Sequence, residues 1–220
     1  ETFLGLSAGK KVVVCKDFLK KGEQLDEFGK IKNSSFTDAF IDSSGNISNG
    51  QGTDLGETLY TIRNSYILKK FPKMEKHFWD MFIVDALIGN QDRNTSNWGI
   101  IKELDGVGRI APVYDNGNCL HNKFDDEKFC MLMKDETALK NDAYNGINCI
   151  HELNGKRINP FRYMQGGYGE CEKACIESVI ELVPKINLEA FRNLIIEIPD
   201  EFISSIHKEY IITIIQKRYE

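Results

Sequence analysis

Several features that would define other classes of protein are missing from this chain of 220 residues. No apolar run approaches the roughly twenty residues that a helix needs to cross a bilayer. No signal peptide is visible near the start, where Lys10 and Lys11 are followed by only four apolar residues. The six cysteines are dispersed without a C-x-x-C pair, which is typical of reduced thiols. We therefore expect a cytoplasmic protein that makes no membrane contact.

The chain also has no excess of positive charge. Its 28 Lys and Arg residues are outnumbered by 33 Asp and Glu residues, which gives a net charge of −5. Proteins that bind nucleic acid usually carry a basic patch or stripe, so we expect no direct nucleic-acid partner. The length fits one domain, or one domain with a small appendage.

A glycine-rich phosphate-binding loop is missing as well. Neither G-x-G-x-x-G nor G-x-x-x-x-G-K-[ST] occurs at the start of the chain. The first residues instead predict a β-hairpin, with strands at 3–6 and 12–15 around a turn at 8–10. Lys10, Lys11 and Lys16 are candidate phosphate ligands only by default, and solvated surface lysines are the better interpretation.

The most informative stretch is residues 85–117. An apolar helix pattern ends at Gly89-Asn90, and a short polar loop then contains Asp92 and Asn97. Two strand-like runs follow at 98–103 and 109–113, with the turn residues Asp105-Gly106 between them. The second run leads directly into an Asp-Asn-Gly turn that begins at Asp115.

This order of elements suits phosphoryl transfer from ATP. Mg²⁺ takes oxygen ligands, and a carboxylate can accept the proton of an attacking hydroxyl. Kinases place the base and an Asn ligand in the spacing D-x-x-x-x-N, which Asp92 and Asn97 match. They place a second metal-binding Asp in an Asp-x-Gly turn after a hairpin, as Asp115 does here. Each motif alone also fits an ordinary loop, cap or turn, so the prediction depends on their order.

These residues carry a resemblance to a known family. The sequences DALIGNQDRNTSNWGII and APVYDNG resemble the HipA-like kinases, and most of all the branch of CtkA-type bacterial serine/threonine kinases. The resemblance implies that Asp92 is the catalytic base and that Asn97 and Asp115 bind Mg²⁺. It also implies a Ser or Thr hydroxyl of a protein as substrate, and a regulatory or antitoxin-like partner. Asn94 departs from the pattern, because HipA-like sequences often have His at that position.

The same resemblance suggests how the chain is divided. Residues 1–18 are predicted to be a remnant of an N-terminal lobe and hinge, and residues 19–220 a HipA-like C-terminal lobe. The hinge, where backbone groups meet the adenine of ATP, is assigned to four residues: Cys15, Lys16, Asp17 and Phe18. In the family, the glycine-rich loop and the phosphate-binding Lys lie upstream of the hinge. Only one hairpin lies upstream here, so we expect the chain by itself to be an incomplete kinase.

Two other functions remain open at this point. The protein could be a catalytically inactive binding or regulatory module that keeps the kinase fold, as the missing phosphate loop suggests. It could also be a small-molecule or lipid kinase, because the same three site residues would serve.

The remaining segments predict a mostly helical α+β chain. A helix should open at Thr53-Asp54, and another at Pro72 should be central, buried and hold Asp85 beside Arg93. The other predicted segments are a short strand or helical turn at 36–41, a loop at 43–52, a polar activation segment after Gly117, a loop at 141–169, and helices at 170–182, 188–198 and 201–219.

Overall fold

The structure is a computed structural model that describes residues 2–35, 52–103, 106 and 108–220. The predicted segment at 36–41, nearly all of the predicted loop at 43–52, and Asp105 of the predicted turn lie outside those residues. The described residues form a mixture of α and β structure in which helix predominates. The expected class, α+β and mostly helical, agrees with this arrangement.

The N-terminal hairpin forms as predicted. Strand β1 (Thr2–Ser7) pairs antiparallel with β2 (Lys10–Cys15), and the turn between them has positive φ at Ala8 and Gly9. That turn geometry matches the natural twist of paired strands. Apolar side chains on both faces of the hairpin remain exposed, among them Leu6 and Val13 on one face and Phe3 and Val14 on the other. A two-stranded hairpin of this kind is only marginally stable by itself.

A second sheet has three antiparallel strands in the order β3-β4-β5 and joins residues near the start of the chain to residues near its middle. Strand β3 (Gln24–Glu27) pairs along its length with β4 (Gly99–Lys102), and β4 pairs with β5 (Arg109–Ile110). The predicted hairpin is therefore present, but both strands are shorter than 98–103 and 109–113. Strand β3 and the helix α1 (Phe28–Ser35) that follows it were not predicted.

The first helical layer surrounds helix α3 (Met74–Ile88), which is buried as expected. Helix α2 (Leu55–Asn64) begins as predicted, because the Asp54 carboxylate accepts a hydrogen bond of 2.9 Å from the backbone N–H of Glu57. The prediction that α3 starts at Pro72 was wrong by two residues, since the first helical residue is Met74. The α3 side chains at the centre of this core are Phe78, Trp79, Met81 and Phe82.

The second helical layer follows the predicted activation segment. It contains α4 (Asp126–Lys134), α5 (Glu136–Lys140) and a π-helical turn (Asn141–Asn145). The prediction that 141–169 is all loop was wrong: besides the π-helical turn, this region forms a two-stranded sheet of β6 (Glu152–Leu153) and β7 (Lys156–Arg157) and the short helix α6 (Pro160–Met164).

Three helices close the chain as predicted. They are α7 (Lys173–Leu182), α8 (Leu188–Glu197) and α9 (Ser205–Tyr219). The second starts at the predicted residue, and the first and third start later. Helix α9 starts four residues later than expected because the Ser204 hydroxyl caps it at the N–H of His207, 3.1 Å away. Its apolar stripe packs into the second core, where Tyr210, Ile211 and Ile214 are buried. None of the described helices is both long and apolar enough to pass through a bilayer.

Candidate active site

The loop that carries Asp92 begins where α3 ends. Gly89 takes a left-handed conformation with φ of 66°, which stops the helix, and the N–H of Asn90 then bonds to the Asp85 carbonyl at 2.8 Å. The Asn90 side chain accepts a 3.1 Å hydrogen bond from the N–H of Asp92. The Asn97 amide nitrogen donates to the Asp92 carbonyl at 2.8 Å. The D-x-x-x-x-N segment is therefore a closed loop in which Asp92 and Asn97 are neighbours.

Arg93 joins this loop to the Asp-x-Gly turn. Its Nη1 donates to the carbonyl of Asn97 at 3.0 Å and to the carbonyl of Tyr114 at 2.5 Å. Its Nη2 donates to the side-chain oxygen of Asn116. Because one guanidinium binds both segments, the backbone at Asn97 lies beside the backbone that leads to Asp115. The structure thus brings the three predicted site residues to one place.

The charge of Arg93 is balanced by Asp85. The two side chains form a bidentate ion pair, with contacts of 2.8 Å from Nε and 2.9 Å from Nη2, and both are almost fully buried. The Asn90 amide adds a third hydrogen bond to Asp85 at 2.9 Å. Burying a charge is costly unless the charge is paired and hydrogen-bonded, and this cluster meets both conditions. The expected contact between Asp85 and Arg93 is confirmed.

Asp115 lies in a strained backbone conformation. Its φ is +55°, in the left-handed region that residues other than glycine rarely adopt. Such a conformation costs on the order of 1 kcal/mol and is often found at functional sites. Here it turns the chain directly after Tyr114, whose hydroxyl donates to the carbonyl of Ser96 at 2.7 Å. Burial raises the pKa of Tyr114 to about 12, so this phenol stays protonated and keeps its bond to the Asp92 loop.

The oxygen atoms available at this site suit Mg²⁺. The amide nitrogen of Asn97 donates to the Asp92 carbonyl, and its side-chain oxygen accepts a 3.2 Å hydrogen bond from the Ser96 hydroxyl. An amide oxygen has two lone pairs, so one is left for a metal. The Asp115 carboxylate accepts no hydrogen bond from any residue that the structure describes. Asp92 is exposed, and among the described residues its carboxylate has only a 3.3 Å contact with the amide of Asn94. A hard cation that prefers oxygen ligands fits this donor set.

A ready-made cluster of other metal ligands is absent from the described part of the chain, which contains no group of three His, Cys, Asp or Glu side chains suited to a metal. The described oxygen donors at the candidate site are the Asn97 amide and the Asp115 carboxylate. This is the mixed ligand set that the sequence predicts.

Comparisons with known proteins show which proteins the whole chain is similar to. The chain is 32% identical to the serine/threonine-protein kinase CtkA of Helicobacter pylori, over 99% of its own length and 63% of that protein. It therefore spans less than two thirds of this curated relative. It also superposes on the crystal structure of a Helicobacter pylori proinflammatory kinase CtkA with a TM-score of 0.85 and 31% identity, covering 99% of this chain and 72% of that one. No family model matches the chain.

The chain belongs to the CtkA kinase family. The resemblance to the CtkA-type branch is thereby confirmed. The likeness extends over nearly all of this CtkA-family chain and is not confined to residues 85–117.

Of the four residues predicted to form the hinge of this CtkA relative, Phe18 lies next to the segment that leads to Asp115. The Phe18 ring is 5.5 Å from the Tyr114 ring, and the Phe18 carbonyl accepts a 3.1 Å hydrogen bond from Arg109 on β5. Cys15 is the exposed last residue of β2, and Lys16 is also exposed. Asp17 caps its own turn, since its carboxylate accepts from the N–H of Leu19 at 2.9 Å.

Sequence reasoning missed several residues that support this site. It paired Arg93 with Asp85, but it did not show that Arg93 also binds Asn116 and two backbone carbonyls. It also missed the support from α1, where the N–H of Gly29 donates to the Thr95 carbonyl at 2.8 Å. A β-carbon at Gly29 would lie 2.8 Å from the Thr95 hydroxyl oxygen, so this glycine allows the close approach.

Proposed function

We propose that this protein transfers the γ-phosphoryl group of ATP to a Ser or Thr hydroxyl of a protein, in a Mg²⁺-dependent reaction. Asp92 accepts the hydroxyl proton as the oxygen attacks phosphorus and ADP leaves. Asn97 and Asp115 hold the metal. When bound, Mg²⁺ supplies positive charge that offsets the charge of the phosphates. The observation that carries the proposal is the Arg93 guanidinium, which holds the Asn97 backbone and the Tyr114 backbone together.

Positions of the site residues support these roles. Asp92 is exposed at the start of its loop, where an approaching hydroxyl can reach the carboxylate. Asn97 is buried, so its amide is fixed by the surrounding loop and by its bond to the Asp92 carbonyl. Catalysis by proximity and orientation requires a fixed metal ligand beside an accessible base. Because the ligand is already held in place, little side-chain entropy is lost when the substrates bind.

The proposed division of the chain follows from the hairpin. In a HipA-like kinase, residues 1–18 are the end of an N-terminal lobe and its hinge, and residues 19–220 are the C-terminal lobe. The exposed apolar faces of β1 and β2 support this assignment, because a second packed layer of an N-terminal lobe would cover them. Residues Cys15, Lys16, Asp17 and Phe18 then line the adenine site, where Phe18 packs beside Tyr114.

The decisive experiment compares two substitutions in the protein at its full natural length. Asp92→Asn should abolish phosphate transfer to protein while leaving calorimetric binding of ATP with Mg²⁺ within about twofold, because the base does not hold the nucleotide. Asp115→Ala should abolish metal-dependent ATP binding itself. Full activity of Asp92→Asn would show that another group is the base.

A second candidate function does not include phosphate transfer. A catalytically inactive binding or regulatory module would keep metal-dependent ATP binding without transfer, and would act through a regulatory or antitoxin-like protein partner. The same assay separates the two proposals: binding without transfer at full length supports the module, whereas transfer to any protein excludes it. A parallel assay with lipid and small-molecule acceptors tests the remaining possibility, since those kinases would use the same three residues.

A further inference from the structure

A second cavity lies behind the end of α3, outside the candidate active site. Its volume is about 620 Å³, which is within the range typical of small-molecule sites. It is bounded by the end of α5 with the π-helical turn, by α6, and by the last turn of α9. Side chains of two kinds dominate its lining, cationic and aromatic: Lys140, Arg162, Lys217, Arg218, Tyr144 and Phe161.

Arg218 is the buried cation of this cavity, with only 6% of its surface exposed. It donates to three backbone carbonyls, those of Ala143 at 3.0 Å, Leu87 at 3.2 Å and Asp142 at 3.3 Å. A guanidinium has five N–H donors, so two have no acceptor among the residues that the structure describes. No carboxylate among the described residues hydrogen-bonds it, although that of Asp142 attracts it, and burial lowers its pKa. An anion in the cavity would supply the missing charge.

The other cations of the cavity are incompletely neutralised. Lys140 and Lys217 share a single carboxylate oxygen of Glu136, at 3.4 Å and 3.0 Å. The Nε of Arg162 donates to a backbone carbonyl, and its guanidinium stacks over the Tyr168 ring at 4.9 Å. Glu220 is the one acidic residue in the lining. Four cations thus face three described carboxylates, those of Glu220, Glu136 and Asp142, so the surroundings of the cavity remain positive in a chain whose net charge is −5.

The other residues that line the cavity indicate what kind of group would sit beside the phosphate. Tyr144 and Phe161 are both partly buried and offer aromatic surface, and Asn145 and Gln165 add amide groups. Aromatic side chains favour a flat apolar or aromatic partner, whereas Arg and Lys favour phosphate. We propose that this cavity binds a small aromatic phosphate monoester, with the phosphate at Lys140, Lys217 and Arg218 and the ring between Tyr144 and Phe161.

The cavity is connected to the loop that carries Asp92. Nη1 of Arg218 bonds to the Leu87 carbonyl in the last turn of α3, and it would lie 2.6 Å from a β-carbon on Gly89. Gly89 is three residues before Asp92. A bound phosphate would attract the same guanidinium that caps this helix end. The binding site does not depend on the proposed kinase activity, because none of its lining residues belongs to the candidate active site.

The test is a fluorescence titration with 1-naphthyl phosphate, beside 1-naphthol and inorganic phosphate as separated halves of the probe. We expect saturable binding of 1-naphthyl phosphate that is at least about tenfold tighter than binding of either half. The double variant Lys140→Gln/Lys217→Gln should weaken that binding about tenfold or more, because it removes two charge-assisted contacts. Lys173→Gln is the matched control: this exposed lysine has a similar 3.5 Å pair with Glu177 but lies outside the cavity, and its loss should change nothing.

Three results would overturn the proposal. They are equal binding of 1-naphthol, an unchanged affinity in Lys140→Gln/Lys217→Gln, and the absence of saturable binding. Repeating the titration with Asp115→Ala separates this site from the proposed ATP site. An unchanged affinity places the probe in the cavity, and a lost affinity places it in the kinase site and contradicts the inference.

Discussion

Arg93 and Asp85 form a bidentate ion pair inside the protein, with contacts of 2.8 and 2.9 Å and almost no exposure to solvent. The pair is part of a larger cluster, because the same guanidinium also binds two backbone carbonyls and Asn116. Removal of either partner would leave an uncompensated buried charge. The pair therefore links the stability of the core to the geometry of the candidate active site.

Substitution of Asp85 by Asn should destabilise the protein strongly. Breaking a buried ion pair typically costs about 3–5 kcal/mol, because the remaining charge stays buried without its partner. We expect a loss of this order in the free energy of unfolding, measured by urea denaturation. Arg93→Lys should also be destabilising, since an ammonium cannot reach the same acceptors from one position.

Arg63→Lys is the control for this prediction. Arg63 also pairs with two carboxylates, Glu75 and Glu172, but 42% of its side chain is exposed. Solvent-exposed ion pairs contribute about 0–1 kcal/mol, so its replacement should change the free energy of unfolding by less than about 1 kcal/mol. A similar loss in Arg63→Lys and Asp85→Asn would show that burial is not the cause.

Replacement of Asp115 should reveal the strain in its backbone. Glycine adopts positive φ without the steric cost that a β-carbon imposes. Asp115→Gly should therefore be more stable than Asp115→Ala by about 1 kcal/mol, although both variants lose the carboxylate. Thermal or urea denaturation measures the difference, and calorimetry with ATP and Mg²⁺ should find neither variant able to bind.

Asn154 provides the matched control for Asp115. It is exposed, has φ of 52°, and lies in the turn between β6 and β7, away from the candidate site. Asn154→Gly and Asn154→Ala should differ in stability by a similar amount, with no effect on nucleotide binding. If only the Asp115 variants differ from each other, the cause is a contact at the site and not the backbone conformation.

The sequence predicted the parts of the fold that depend on local patterns. The buried helix α3, its end at Gly89 and the N-terminal cap at Asp54 follow from helical spacing, glycine and capping chemistry within a few residues. The candidate site residues Asp92, Asn97 and Asp115 were also predicted from local patterns, namely their spacing and order along the chain. These signals come from neighbours in the chain and need no knowledge of distant contacts.

Contacts between distant segments were not predictable in this way. Strand β3 lies in a polar stretch and forms because it pairs with β4, more than seventy residues later. The role of Arg93 likewise depends on Tyr114 and Asn116, about twenty residues away. No local pattern specifies these pairings, so the support of the site appeared only in the structure.

Gly89 should be sensitive to substitution because Arg218 lies against it. Gly89→Ala would place a β-carbon 2.6 Å from Nη1 of Arg218, which three backbone carbonyls hold in position. The variant should lose about 1 kcal/mol for the positive φ, and about 1–3 kcal/mol more if the hydrogen bonds of Arg218 break. Urea denaturation should show the combined loss.

Gly155→Ala measures the cost of a positive φ without any contact to Arg218. Gly155 has φ of 71°, close to that of Gly89, but a β-carbon there would meet nothing within 4 Å. It should therefore lose only the backbone contribution of about 1 kcal/mol. Equal losses in the two variants would mean that Arg218 moves aside at no cost, and that it does not brace the end of α3.

The stability of the protein should fall in mild acid because His151 is buried. Burial lowers the pKa of His151 to about 4, whereas an unfolded histidine titrates near 6.5. Between these values the unfolded chain binds a proton that the folded chain does not, so stability falls as the pH drops below about 6.5. This residue alone should cost about 2 kcal/mol between about pH 7 and pH 5. Burial also lowers the pKa values of His77 and His207, which adds to the loss.

His151→Gln should remove that contribution and leave the others. The quantity to compare is the change in the free energy of unfolding between the two pH values, so that a constant loss caused by the substitution cancels. The variant should lose about 2 kcal/mol less than the parent protein on acidification. His151→Phe is a second variant without a titrating group, and its side chain differs from Gln in shape. If titration is the cause, both variants should show the same reduced pH dependence. Should both variants keep the pH dependence of the parent, the buried imidazole is not responsible for the acid sensitivity.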